Sequence, residues 1–184
     1  MKTPEVKITS TCGPRGANRY KLIEELEVNG RQLKRKPVKL GSRRIFLGRG
    51  IVVKVDRGFE IENTCYKDWT VVQSTRELAF WNNLEEEDKK YFPEPLAGGK
   101  IEYDGYLYPY IVQKKISGYW RIKIPIWAQE IIDDMVYKYA MIDVEHHGGS
   151  TYNRSPWNCC VSNGKVYIYD YAEAVITPRK KKAG

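Results

Sequence analysis

Residues 51–55 read Ile-Val-Val-Lys-Val, a β-branched run with one ammonium inside it. Four of the five side chains favour a pleated, buried strand. A lysine in that setting requires an anion, because an unpaired buried charge is costly. The stretch therefore sets the expectation of a strand, with Lys54 either paired to an acid or snorkelling to solvent from an edge. Upstream, Arg43-Arg44-Ile45-Phe46-Leu47 has the same β character, and Gly48-Arg49-Gly50 supplies a tight hairpin connection. Gly41-Ser42 marks another turn, with a strand expected over 37–40 ahead of it. Three antiparallel strands in sequence is the economical reading.

Further upstream the pattern fades. Residues 1–20 are polar, are broken by Gly13, Pro14 and Gly16, and read as an irregular arm. Residues 20–28 suit a short helix or a strand, and Asn29-Gly30 is a strong turn signal. Downstream the period changes. Val71, Val72, Thr75, Leu78, Ala79 and Leu84 fall near helical spacing, so a helix is expected from Val71 or Ser74 to Asn83. Ser74 with Glu77 three residues on suggests a capping box. Residues 85–90 read as a solvated charge run, and Pro93 and Pro95 then break the chain. Two strands are expected over 106–110 and 111–116, with Pro109 arguing for an edge or a bend. A helix follows over 129–141, with Ile131, Ile132, Met135, Val136 and Tyr139 on one side. Residues 145–156 read as a loop, and a last hairpin crosses Ser162-Asn163-Gly164. The order of elements is an α+β layout without internal repeats.

Composition narrows the function classes. The chain has 184 residues, 42% hydrophobic and 29% charged, as in globular domains. No apolar run approaches the ~20 residues of a membrane helix. No apolar stretch follows the basic N-terminus, so no secretory signal is expected. The net charge of +8 is local: residues 31–44 hold seven bases and no acid, and the tail adds Arg179, Lys180, Lys181 and Lys182. Without those eleven, 20 bases face 23 acids. Such patches can steer a protein to nucleic acid or acidic partners, but also serve as plain solvated faces. Cys12, Cys65, Cys159 and Cys160 show no CxxC spacing, so reduced thiols in the cytoplasm are expected rather than zinc. Tyr103, Tyr106, Tyr108, Tyr110, Tyr167, Tyr169 and Tyr171 read as a sheet face in preference to a base-stacking platform.

Four features recur in order along the layout: the Gly41-Ser42 turn, Lys54 in its strand, Glu77 on the next helix, and Asn158 and Asp170 flanking the late hairpin. In this order the chain resembles the protein-kinase-like fold, in a short bacteriophage-type or atypical form. Ile51-Val52-Val53-Lys54-Val55 resembles the VAIK strand, and Glu77 in Arg76-Glu77-Leu78-Ala79-Phe80-Trp81 resembles the glutamate of the kinase helix C. Trp157-Asn158-Cys159-Cys160-Val161 and Tyr169-Asp170-Tyr171-Ala172 resemble the metal-binding Asn strand and the DFG segment, 12 residues apart from Asn158 to Asp170. The resemblance covers roughly residues 37–172.

It implies an N-terminal arm over 1–36, a small lobe over 37–114, a truncated second lobe over 115–176 and a basic tail over 177–184. It implies Mg-ATP bound in a cleft between the lobes, with Lys54 on the phosphates and on Glu77. Gly41 and Ser42 would approach the phosphates, and Gln113 and Lys114 would lie in the linker that meets the adenine. Asn158 and Asp170 would hold Mg²⁺ as hard oxygen ligands. The departures are as pointed. The Gly-rich loop keeps only Gly41. Asn153 stands where the family places its catalytic Asp, and an amide is no proton acceptor. Asp143, 15 residues before Asn158, is the nearest carboxylate alternative, with Glu145 and His146 beside it. Only 14 residues follow Asp170, so the platform that grips protein substrates is expected to be missing. A partner protein or a homodimer would complete it. Three readings follow: a minimal ATP-dependent phosphotransferase, a pseudokinase-type binding protein, and a basic nucleic-acid binder using 31–44 and the tail. Small size and these motifs suggest a phage product acting in the host cytoplasm.

Overall fold

A computed structural model describes residues 3–13, 21–36, 43–61, 73–116, 125–140 and 158–169. The described chain is mixed α/β, with two α-helices and only antiparallel strand pairs. It divides into two compact units: residues 1–78 with 95–115, and residues 79–94 with 116–184.

The first unit begins with β1 (Val6–Cys12) and β2 (Leu22–Val28), followed by β3 (Arg31–Gln32) and β4 (Lys34–Arg35). β1 and β2 pair over their length and β3 extends their sheet. The segment expected to be an irregular arm is therefore partly a strand. Its polar outward positions hid the inward Ile8, which packs with Ile23, Leu26 and Val28. The strand option for 20–28 is the one adopted. β5 (Arg43–Leu47) and β6 (Ile51–Asp56) form the expected hairpin, and β7 (Phe59–Glu60) follows. The strand expected over 37–40 lies outside the described residues.

α1 (Gln73–Asn83) then leads to β8 (Pro95–Tyr103) and β9 (Tyr106–Lys114), which build a sheet of order β4-β5-β6-β9-β7 with β8 also paired to β9. β9 is continuous where two strands were expected. Pro109 falls between the last residue registered with β6, Tyr110, and the first registered with β7, Leu107. Its missing N–H thus sits at a break in the ladder. β8 begins at Pro95 and includes Gly98-Gly99, a composition that gives no strand signal. Gly98 is needed there: a Cβ would stand 2.9 Å from Leu78 Cδ2 and 3.4 Å from the Tyr110 carbonyl oxygen. The bare backbone lets α1 settle onto the sheet.

In the second unit, α2 (Ile126–Tyr139) buries Ala128, Ile132, Met135 and Tyr139. It starts three residues before the expected limit and ends at Ala140, in the left-handed region with φ 47°. β10 (Cys159–Ser162) and β11 (Lys165–Ile168) form the last hairpin as expected. Phe80, Leu84 and Phe92 pack with α2 and this hairpin in one core. The run 85–90 is not fully solvated: Asp88 is 5% exposed. Its carboxylate accepts the Tyr139 hydroxyl and the Lys138 ammonium, both at 2.6 Å. Three turns share one chemistry. Asn29-Gly30, Asp104-Gly105 and Asn163-Gly164 all have positive φ at both residues, as two-residue hairpin turns require. Among the described residues no helix is long and apolar enough to cross a membrane.

Candidate functional site

The central hairpin sorts its side chains by face. Across β5, β6 and β9, Phe46, Val53 and Val112 are registered partners, and they join the apolar core with Val55. The alternate positions are Arg43, Lys54, Asp56 and Gln113, all buried. Registered pairs share a face, so Arg43 opposite Asp56 and Gln113 opposite Val52 stand on the same side as Lys54. α1 covers this side and brings Ser74 and Glu77 to it. One sheet face thus contributes Phe46, Val53, Val55 and Val112 to the apolar core, and the other gathers the buried charges under α1.

Glu77 is the hub and is fully buried. The Lys54 ammonium donates to Glu77 Oε2 at 2.9 Å and to Oε1 at 3.1 Å. The Arg43 guanidinium donates through Nη2 to Oε1. The Gln113 side-chain amide donates to Oε2 at 3.3 Å. Lys54 is 5% exposed and Arg43 7%. In a medium this dry, removing either side of such a pair costs about 3–5 kcal/mol.

Asp56 anchors the helix. Its Oδ2 accepts the Ser74 backbone N–H at 2.8 Å, and its Oδ1 accepts the Ser74 hydroxyl at 2.9 Å. The carboxylate thereby satisfies a donor of the first described turn of α1, as helix starts require. This replaces the expected capping box. Ser74 bonds a strand carboxylate and, at 3.4 Å, the Lys54 carbonyl oxygen, while Glu77 turns to the cations. Burial pushes the Asp56 carboxyl up to about 6, against the lowering effect of Arg43 and of the two Ser74 hydrogen bonds.

Of the sequence-predicted residues, Lys54 and Glu77 meet. Gln113 joins them in an unexpected way. It belongs to β9, which ends at Lys114, and reaches Glu77 with its side chain. Lys114 is exposed and registered with Ile51. Asn158 is in the second unit, at φ 54°, and its carbonyl accepts the Tyr169 N–H at 2.9 Å. It closes the β10–β11 hairpin, a place where Asn tolerates the left-handed region. Gly41, Ser42, Asp143, Asn153 and Asp170 lie outside the described residues.

Sequence reasoning missed Arg43, Asp56 and Ser74 as members of the cluster. In the sequence Arg43 belongs to the basic stretch 31–44 and, with Arg44, is a candidate to supply charge to phosphate beside the Gly41-Ser42 turn. The structure takes it off that surface, and commits Arg35 and Arg44 to Glu24. Among the described residues no group of three His, Cys, Asp or Glu is placed to hold a metal ion. Cys12, Cys159 and Cys160 are free thiols, and burial pushes Cys159 up to about 12, which keeps it protonated and inert.

No family model matches the chain, and no curated protein does. Among solved structures it is similar to the bifunctional kinase-methyltransferase WbdD, at 19% identity and a TM-score of 0.41 over 76% of this chain and 31% of that one. A second structure, WbdD with the kinase inhibitor LY294002, gives 16% identity and a TM-score of 0.44 over 86% of this chain and 41% of that one. The chain thus spans less than half the length of either of these two solved chains.

Proposed function

We propose that the chain is a minimal kinase-like protein that takes the phosphates of Mg-ATP at Lys54 and passes phosphate to a partner. The observation that carries this reading is the buried Lys54–Glu77 pair, made between the central strand β6 and the helix packed on it. A lysine brought to the sheet face by a helix carboxylate is a compact point charge on a flexible stem, which can be handed to a phosphoryl oxygen. The order Lys54, Glu77, Asn158, Asp170 along the chain adds the metal assignment, with Asn158 and Asp170 as the oxygen ligands of Mg²⁺. Phosphate acceptor and phosphate donor would meet with the help of a protein partner or a second copy.

A kinase-like binding protein without catalysis is the second reading. It is favoured by Asn153 at the base position, which leaves Asp143 as the carboxylate that transfer would require. A nucleic-acid reading would rest on the exposed Arg31, Lys34, Arg35 and Lys36, without Arg43, which is turned to Glu77. Calorimetric titration with Mg-ATP tests the main reading. Wild-type protein should bind, and Lys54→Met should weaken binding about ten-fold or more. No binding heat in the wild type, or equal affinity in Lys54→Met, overturns it. Transfer from radiolabelled ATP, abolished in Asp143→Asn, separates the enzyme from the binding protein.

A further inference from the structure

Glu77 holds two full cations on one carboxylate that water does not reach. The two are not equivalent. Arg43 carries a planar, permanently charged fork, and its strand position opposite Asp56 is set by the β5–β6 ladder. Lys54 carries a compact ammonium on a flexible stem. Of the two, Lys54 is the one built to move. If Lys54 alone held Glu77, its departure would strand a fully buried carboxylate. With Arg43 on Oε1 and Gln113 on Oε2, each oxygen keeps a donor when Lys54 leaves.

We propose that Arg43 is a positioning residue that keeps Glu77 charge-paired, so that the Lys54 ammonium can swing from Glu77 to an incoming anion and return. Arg43 acts through Glu77 and touches no ligand. The inference rests on the nucleotide reading only for the identity of the anion, a phosphate group. The arrangement lies within one compact unit, since Arg43, Lys54, Glu77 and Gln113 all belong to the first.

The mobility of Lys54 can be read without nucleotide. Full-length folded protein is treated with an amine-acylating ester, and the rate of Lys54 modification is followed by peptide mass. Arg43→Gln should slow that rate about ten-fold or more, because leaving Glu77 then costs Lys54 the energy of an unpaired buried carboxylate. Arg43→Lys restores a cation and should stay within about three-fold of the wild type. Equal rates in wild type and Arg43→Gln overturn the proposal, and so does a Lys54 that reacts in neither. Should Arg43→Gln fail to fold, the Glu77→Gln background serves. There the carboxylate is gone, and adding Arg43→Gln should leave the Lys54 rate unchanged; a slowing overturns the proposal. Mg-ATP titration of the same proteins separates the two ideas. Slowed labelling in a protein that binds no Mg-ATP sinks the nucleotide reading and keeps the role of Arg43. Mg-ATP binding with unchanged labelling does the reverse.

Discussion

Among the described residues, each compact unit buries an ion-paired carboxylate, Glu77 in the first and Asp88 in the second, and the two are satisfied by different chemistry. Glu77 faces two cations and an amide, with no exposure of its own. Asp88 faces one cation and one neutral hydroxyl, and the Lys138 side chain on it is 21% exposed. Lys138 also reaches Glu85 at 2.5 Å, on the solvent side. The second arrangement is what a fold uses to tie a loop to a helix end. It satisfies the acid with little charge to spare and lets the cation keep part of its hydration. The first concentrates positive charge around one acid and seals it in. A structural pin needs no second cation, and on the function proposed above the excess at Glu77 marks a poised site where Asp88 marks a strut.

The largest expected effect breaks the first hub. Glu77→Ala leaves Arg43 and Lys54 on a dry face without their carboxylate, which should cost about 3–5 kcal/mol, a large part of the roughly 5–15 kcal/mol that holds a domain together. Asp88→Ala should cost about 1–3 kcal/mol, because Lys138 can turn to Glu85 and to water. Urea unfolding of both variants checks the ranking. Equal losses would erase the distinction between the hubs.

Next in size is the pH dependence of the Asp56 anchor. Its carboxyl is raised in the fold from 3.8 to about 6, so the native state binds this proton more tightly than the unfolded chain. Asp56 therefore adds stability below 3.8 that is lost as pH rises through about 6. The full swing is about 3 kcal/mol for a shift of roughly two units. Comparing wild type with Asp56→Asn by urea unfolding across that range isolates the effect. The difference between the two should change with pH; a constant difference would mean that Arg43 and Ser74 offset the burial of Asp56 completely.

Much of this fold could be read in advance, and the reason is local. The strand 51–55, its hairpin partner 43–47 and the Asn-Gly turns declare themselves through β-branching and through residues that accept positive φ. That Lys54 needs an acid was legible because a lone ammonium in an apolar strand demands one; that the acid is Glu77 came from the resemblance to the kinase helix C glutamate. Arg43 and Asp56 were not, because their roles depend on register. Strands taken as 43–47 and 51–55, paired end to end, set Arg43 opposite Val55. The observed ladder pairs Leu47 with Val52 and so sets Arg43 opposite Asp56. One residue of register decides which face a side chain joins. β1 and β8 were missed for a different reason. Their signals lie in tertiary packing: Ile8 against β2, and the close approach of Leu78 to Gly98. Neither shows in a local window.

The smallest effect sharpens the contrast from the other side. Tyr139 is fully buried, and its ring stands edge-on to Phe80 at 5.1 Å and to Phe92 at 6.4 Å. Burial, followed by the hydrogen bond to Asp88, holds its hydroxyl proton well above the ordinary tyrosine range, so the group stays a neutral donor. Tyr139→Phe keeps the ring contacts and removes one donor from Asp88, while Lys138 remains at 2.6 Å. The expected loss is about 1 kcal/mol, that of one buried hydrogen bond whose acceptor keeps another partner. Urea unfolding at fixed pH reads it directly. A loss of about 3 kcal/mol or more would mean that Lys138 does not sustain Asp88 alone. Asp88 would then depend on its neutral partner as Glu77 depends on its second cation, and redundancy would no longer distinguish the site from the strut.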